Sequence, residues 1–125
     1  MVEKKNILLV ENDIYSVKVI AYFLKDSFNV DHAPDGLTAL KLAQSKKYPI
    51  ILMDIDLGIG MNGLETANKI NRIPGLENLP IVAVTAYALP GDREKFLAKG
   101  CTHYISKPFK KDEILTLLNN IISTL

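Results

Sequence analysis

The sequence lacks the features that mark secreted, membrane-spanning and nucleic-acid-binding proteins. It has one cysteine, Cys101, in 125 residues. A single cysteine cannot form an internal disulfide, so we expect an intracellular, cytoplasmic protein. The formal net charge is only +1, from 15 basic and 14 acidic residues, which argues against a dedicated nucleic-acid or membrane surface. No apolar run approaches the roughly 18 residues that span a bilayer, and the N-terminal MVEKKN does not resemble a signal peptide.

Internal repeats, low-complexity tracts and linkers are also missing. The length of 125 residues suits one domain of ordinary size, and the hydrophobic content of 48% is enough to fill one core. We therefore expect a single domain over residues 1–125.

Short apolar runs alternate with helical patterns along the whole chain. Apolar runs predict five strands, at residues 7–10, 28–33, 50–53, 81–84 and 104–105. Apolar residues at helical spacing begin at residues 14, 37, 64 and 114, and a further helix is predicted over 90–99. The alternation, with strands apolar on both faces, predicts an α/β fold: a doubly wound five-stranded parallel sheet with helices on both faces.

Polar residues collect where the predicted strands end, and parallel sheets bind ligands outside the carboxyl ends of their strands. These residues are Glu11, Asn12 and Asp13 for the first strand, Asp54 and Asp56 for the third, Thr85 for the fourth, and Ser106, Lys107 and Pro108 for the fifth. Acids, a hydroxyl and a lysine at one edge of a sheet indicate a reactive site, because packing alone would favour apolar residues there. Asp13 also has the position of an N-cap for the first helix.

Four segments resemble the receiver domain of two-component response regulators, and together they cover essentially the whole chain. They are ILLVEND, ILMDIDLGIGMNGLE, IVAVTAYALPGDRE and YISKPF. The resemblance implies the strand order 2-1-3-4-5 that is known for receiver proteins. The resemblance also implies that the chain is a signalling switch and is not an enzyme.

The resemblance implies that Asp54 accepts a phosphoryl group from a histidine kinase, a histidine phosphotransfer protein or a small phosphodonor. It implies Mg²⁺ as the cofactor, because charge must be neutralised before one anion attacks another. Mg²⁺ prefers hard oxygen ligands and retains several waters. By the resemblance, Glu11 binds the ion through a water, Asp54 binds it directly and Asp56 offers its backbone carbonyl.

Further roles follow from the same resemblance. Lys107 is expected to pair with Asp54 and then with the phosphoryl group, and Thr85 is expected to turn its hydroxyl toward that group. Tyr104 is expected to swing inward behind Thr85. This movement would change the face made by the fourth helix, fifth strand and fifth helix for a downstream protein target. Lys107–Pro108 matches a cis peptide bond of the family.

The second residue of the pair after strand one departs from the family, in which both residues are usually acids. Asn12 offers a carbonyl oxygen but no charge. At an effective dielectric constant near 20, a unit charge 4 Å from a divalent ion contributes roughly 8 kcal/mol before desolvation. The net loss is far smaller, because a carboxylate also costs more to desolvate. We expect Asn12 to be a weak ligand, and Asp54 to be phosphorylated with a raised Mg²⁺ requirement.

Other interpretations remain open at this point. A receiver that signals without phosphate, as an interaction module, is the strongest rival because of Asn12. The Asp54-Ile55-Asp56 run resembles the nucleophile motif of haloacid dehalogenase-like phosphatases, but that motif follows the first strand of a longer chain. A P-loop is excluded because GIGMNG is not followed by Lys-Ser or Lys-Thr. The chain is expected to be a stand-alone regulator or a receiver from a larger protein, and the start at Met1 favours the former.

Four residues outside the strand-end set receive simpler interpretations. His32 and His103 are expected to be structural or exposed. Cys101 is expected to be a small apolar filler. Tyr87, on the loop after the fourth strand, is a candidate contact for partners. The loop DLGIGMNG is one residue longer than in many receivers, and we expect it to change loop shape without abolishing the chemistry.

Overall fold

A computed structural model describes residues 3–58, 60–86 and 89–125, and Tyr87 therefore lies outside the described residues. Strands and helices alternate strictly. The strands are β1 (Lys5–Val10), β2 (Phe28–Ala33), β3 (Ile50–Asp54), β4 (Ile81–Thr85) and β5 (His103–Ser106). The helices are α1 (Ile14–Leu24), α2 (Gly36–Ser45), α3 (Gly63–Asn71), α4 (Asp92–Ala98) and α5 (Lys111–Ser123).

The five strands form one parallel sheet in the order β2-β1-β3-β4-β5. This order and the α/β class are the ones expected from the sequence. The order reverses beside β1, because β1 lies between β2 and β3. Loops after β1 and β3 therefore diverge to opposite sides and leave a crevice at the carboxyl edge of the sheet.

The alternation of side chains along each strand supplies two cores, one on each face of the sheet. On β1, Leu8 and Val10 join the core beneath α2, α3 and α4. Ile7 and Leu9 join the core beneath α1 and α5 on the opposite face. All four side chains are fully or almost fully buried. Both faces are therefore covered by helices, which explains why the strands have no polar alternation.

Helix α4 is shorter than the predicted range of 90–99. It begins at Asp92, because Gly91 has a φ of +91° and belongs to the preceding turn. The Leu89 backbone N–H donates to Asp92 Oδ2 at 2.7 Å and closes that turn. Within the described ranges, no helix combines the length and apolar character needed to cross a membrane.

Candidate functional site

The carboxyl edge of the sheet holds one cleft that contains most of the sequence-predicted site residues. The predicted residues that line it are Glu11, Asn12, Asp13, Asp54, Asp56, Thr85 and Lys107. Tyr104 lies elsewhere, in a groove shared by α4, β5 and α5. The structure thus brings together the predicted acceptor, acids, hydroxyl and lysine, and separates the tyrosine from them.

A buried acid pair and one ammonium group form the centre of the cleft. The side chains of Glu11 and Asp54 are 1% and 8% exposed. Lys107 Nζ lies 2.8 Å from Glu11 Oε1 and 4.0 Å from Asp54 Oδ1. The lysine was expected to pair with Asp54, but its shorter contact is to Glu11. A single cation therefore faces two buried carboxyl groups, and ionisation of both would leave an excess negative charge.

Asp54 is the acid whose ionisation is disfavoured. Burial, followed by the hydrogen bond and the charge of Glu11, raises the pKa of Asp54 to about 8. Lys107 and the Asp56 backbone N–H act in the opposite direction without cancelling this rise. Asp54 is therefore an acid whose ionised form needs a further positive charge.

The backbone around Lys107 explains why the lysine reaches the cleft. The Lys107 N–H donates to the Thr85 carbonyl at 2.8 Å, which extends the β4–β5 pairing by one residue. The Lys107–Pro108 peptide bond is cis, as the resemblance implied. Thr85 is the last residue of β4 and is 7% exposed.

The two residues that follow Glu11 have different tasks. Asp13 is the N-cap of α1, as expected: its carboxylate accepts from the Tyr15 N–H at 3.3 Å and from Ser16 Oγ at 2.9 Å. Asn12 Nδ2 donates to the backbone carbonyl of Leu57 at 3.2 Å. The amide of Asn12 is thus attached to the loop that follows β3.

Asp56 lies on that same loop, and its carboxylate is exposed. Its backbone N–H donates to Asp54 Oδ1 at 3.2 Å, and its own Oδ1 accepts from the Gly58 N–H at 3.2 Å. The side chain of Asp56 therefore serves the loop, while its peptide group stands next to the Asp54 carboxylate.

Tyr104 has an outward orientation on β5. Its side chain is 42% exposed. The ring packs edge-on against Phe96 of α4, with 6.3 Å between ring centroids. Leu97 of α4 and His103 line the same groove. The expected inward swing of Tyr104 would bring the ring from this groove toward Thr85.

Two contributors to the site were missed by sequence reasoning. Gly63 opens α3, and a Cβ there would lie against the carbonyl oxygen of Asp54 and the Cα of Ile55. His32 of β2 donates from Nε2 to the Glu11 carbonyl at 2.7 Å, so this histidine is structural, as expected, and supports the acid. For Gly63, the only signal in the sequence is a glycine at the start of the helix that follows DLGIGMN. For His32, no local pattern indicates the contact with Glu11.

The oxygen donors of the cleft suit a Mg²⁺ ion that binds few protein ligands. Within the ranges that the structure describes, no group of three or more His, Cys, Asp or Glu side chains has the geometry of a metal site. Two carboxyl groups, Glu11 and Asp54, share one ammonium, and they carry an excess negative charge when both are ionised. Mg²⁺ is commonly held by one or two carboxylates, waters and phosphate oxygens. The residues present therefore suit an ion that keeps much of its water.

Comparison with known proteins defines the class. The family model described as "Response regulator receiver domain" matches residues 7–119, so the chain belongs to this family. It is 31% identical over 119 residues to the polar-differentiation response regulator DivK of Brucella anthropi, covering 94% of this chain and 96% of that protein.

Other relatives extend this result. "Probable transcriptional regulator ycf29" of Porphyra purpurea is 40% identical over 118 residues, which are 94% of this chain and 56% of that protein. The chain thus spans about half the length of that relative. The receiver domain of the sensor histidine kinase PA1611 from Pseudomonas aeruginosa, solved with magnesium in its active-site cleft, superposes with a TM-score of 0.88 at 34% identity. That match covers 97% of this chain and 99% of the solved one.

Proposed function

We propose that the chain is a phospho-acceptor switch of a two-component system, with Asp54 as the acceptor and residues 1–125 working as one receiver domain. The observation that carries this proposal is the position of the Asp54 carboxylate. It is buried at the base of an open cleft, beside Glu11 and the Lys107 ammonium. The family assignment supports a role in two-component signalling.

The transfer itself is a displacement at phosphorus. An ionised oxygen of Asp54 forms a bond to phosphorus, the bond from phosphorus to the donor breaks, and the donor leaves with that electron pair. The product is an acyl phosphate. Lys107 lies close enough to follow the charge onto the phosphoryl oxygens, and the Thr85 hydroxyl stands at the neighbouring strand end. Such transfer depends chiefly on positioning and charge stabilisation.

Mg²⁺ would be held by Glu11 through a water, by Asp54 and by the Asp56 backbone carbonyl, and it would supply the positive charge that transfer between anions requires. The magnesium in the receiver domain of PA1611 supports this assignment. Asn12 contributes no charge, so we expect a raised Mg²⁺ requirement.

The phosphodonor is proposed to be a histidine kinase or a histidine phosphotransfer protein. Helix α1 begins beside the cleft and exposes a row of large apolar side chains. They are Ile14 (53% exposed), Tyr15 (75%), Val19 (50%) and Tyr22 (62%). Exposed apolar side chains that lie close together on one helix are typical of binding surfaces. A donor seated on α1 would have its phosphohistidine next to Asp54.

The output is proposed to be a downstream protein that binds the α4-β5-α5 face, where Leu97 and Tyr104 are 46% and 42% exposed. We propose no direct nucleic-acid or membrane partner and a cytoplasmic location. The net charge of +1 and the free, buried Cys101 support these assignments. No turnover of phosphomonoesters is expected.

A second candidate is a receiver that acts without phosphate. The absence of a charge at Asn12 favours it, because the centre then attracts Mg²⁺ less strongly.

The test is intact-mass measurement after incubation with a small acyl phosphate across a Mg²⁺ titration. The Asp54→Asn variant is run beside Asp26→Asn, which removes an exposed acid after α1. A phosphoryl adduct on wild type and Asp26→Asn, but not on Asp54→Asn, supports the switch. An absence of adduct at every Mg²⁺ concentration, also with a phosphohistidine donor, would leave the phosphate-independent receiver.

A further inference from the structure

The amide of Asn12 makes a contact that a carboxylate cannot make. Asn12 Nδ2 donates to the Leu57 carbonyl at 3.2 Å. An ionised aspartate at this position has only acceptor oxygens, and these would repel the carbonyl. The choice of an amide therefore matches the group that it faces. The contact involves no metal ion.

The Leu57 carbonyl belongs to a short hydrogen-bonded path that ends at Asp54. The Gly58 N–H, which is part of the same peptide group as the Leu57 carbonyl, donates to Asp56 Oδ1, and the Asp56 N–H donates to Asp54 Oδ1, both at 3.2 Å. Leu57 itself is 4% exposed and belongs to the core beneath α2, α3 and α4. Asn12 thus connects the end of β1 to the loop that orients the Asp54 carboxylate.

Gly58 lies directly against the Asn12 amide. Its φ is +76°, a backbone conformation that other residues rarely adopt. A Cβ at Gly58 would lie 3.0 Å from Asn12 Nδ2, closer than ordinary contact allows. Position 58 therefore favours glycine for its backbone conformation, and a Cβ there would require the Asn12 amide to move by a few tenths of an ångström.

We infer that Asn12 is a positioning residue that clamps the loop after β3, and that the amide is required as a hydrogen-bond donor. The clamp holds Leu57, and through Asp56 it holds the carboxylate of Asp54. The effect of this clamp on phosphorylation rests on the proposed function. The clamp itself is a property of the metal-free chain and is tested there.

Two variants separate the clamp from the charge. Asn12→Ala and Asn12→Asp both remove the donor, and only Asn12→Asp adds a negative charge. Asn119→Asp, at an exposed position of α5, is the matched charge control. In ¹H–¹⁵N NMR spectra of the metal-free protein, both Asn12 variants should shift the Asp56 and Gly58 amide signals and accelerate their hydrogen exchange about tenfold, a factor in the range expected for one lost hydrogen bond. Unchanged Asp56 and Gly58 signals in Asn12→Ala would overturn the inference.

Gly58→Ala tests the contact from the loop side. The added methyl group should displace the Asn12 amide and shift its side-chain NH₂ signals toward those of a solvent-exposed amide. In the double variant with Asn12→Ala, the exchange of the Asp56 amide should increase by less than the product of the single effects, because both changes remove the same contact. Fully independent effects would contradict the clamp.

The phosphorylation kinetics distinguish a positioning residue from a weakened ligand. Asn12→Asp should lower the Mg²⁺ midpoint and also lower the rate at saturating Mg²⁺ severalfold. Asn12→Ala should lower the saturating rate without lowering the midpoint. A saturating rate in Asn12→Asp equal to or above wild type would refute the clamp. An unphosphorylated wild type with the predicted NMR changes would refute the proposed function and leave the clamp intact.

Discussion

Replacement of Lys107 by methionine should expose the charge imbalance at the centre of the cleft. The ammonium lies 2.8 Å from Glu11 Oε1 and 4.0 Å from Asp54 Oδ1. At an effective dielectric constant near 20, these distances correspond to gross attractions of about 6 and about 4 kcal/mol. Desolvation of the ammonium opposes them. Removal of one partner of a buried pair typically costs about 3–5 kcal/mol.

We expect the lower end of that range for Lys107→Met, about 3 kcal/mol in the free energy of unfolding at neutral pH. The lysine is 24% exposed, and Asp54, whose pKa is already raised to about 8, holds its proton more tightly when the cation is lost. The loss should shrink when Mg²⁺ is added, because with both acids ionised the formal charge of the centre goes from −1 with Lys107 to −2 without it, so the ion binds the folded variant more strongly.

Urea denaturation with and without Mg²⁺ measures both effects. Lys41→Met, which removes an exposed lysine on α2, is the matched control and should change stability by less than about 0.5 kcal/mol. A Lys107→Met variant that is no less stable than Lys41→Met, or that Mg²⁺ stabilises no more than wild type, would refute the charge imbalance at this centre.

Three further predictions concern pH, packing and a distant hydrogen bond. The pKa of Asp54 is raised to about 8, so the folded state binds more protons than the unfolded state between about pH 4 and that value. Metal-free wild type should therefore lose stability relative to Asp54→Asn as the pH rises through this window. Urea titrations at a series of pH values measure this loss. Gly63→Ala should lower the free energy of unfolding by about 2 kcal/mol or more, since the methyl group meets backbone that cannot yield; an unchanged urea midpoint would contradict this. Tyr48→Phe should lower the free energy of unfolding by about 1 kcal/mol, because Asp31 loses the hydrogen bond that it accepts from Tyr48 Oη at 2.7 Å. The same change should raise the pKa of Asp31, measured by NMR titration. Tyr22→Phe, at an exposed position, should change neither quantity.

The sheet and the membership of the site were predictable because both depend on local patterns. Apolar runs without polar alternation identify strands covered on both faces, and Asp54, Thr85 and Lys107 stand where such runs end. Parallel strands place those ends at one edge. The cap at Asp13 was predictable for the same reason, since its partners lie two and three residues away.

Contacts between distant segments were not predictable. Asn12 and Leu57 are separated by 45 positions, so nothing local indicates that the amide faces a carbonyl. The preference of Lys107 for Glu11 over Asp54 depends on differences of about an ångström, which motifs do not encode. The start of α4 was placed too early because a proline and a glycine form a turn that resembles a helix start.

The central claim is that Asp54 is the residue that carries the phosphoryl group, and the most direct measurement locates the modification chemically. The protein is incubated with a phosphohistidine donor and Mg²⁺, treated with hydroxylamine, digested, and fragmented in a mass spectrometer. Hydroxylamine converts an acyl phosphate to a hydroxamate and leaves a phosphothreonine unchanged. We expect a hydroxamate at Asp54 and at no other acid. A phosphoryl group on Thr85 or on a histidine, or a hydroxamate at Glu11 or Asp56, would contradict it.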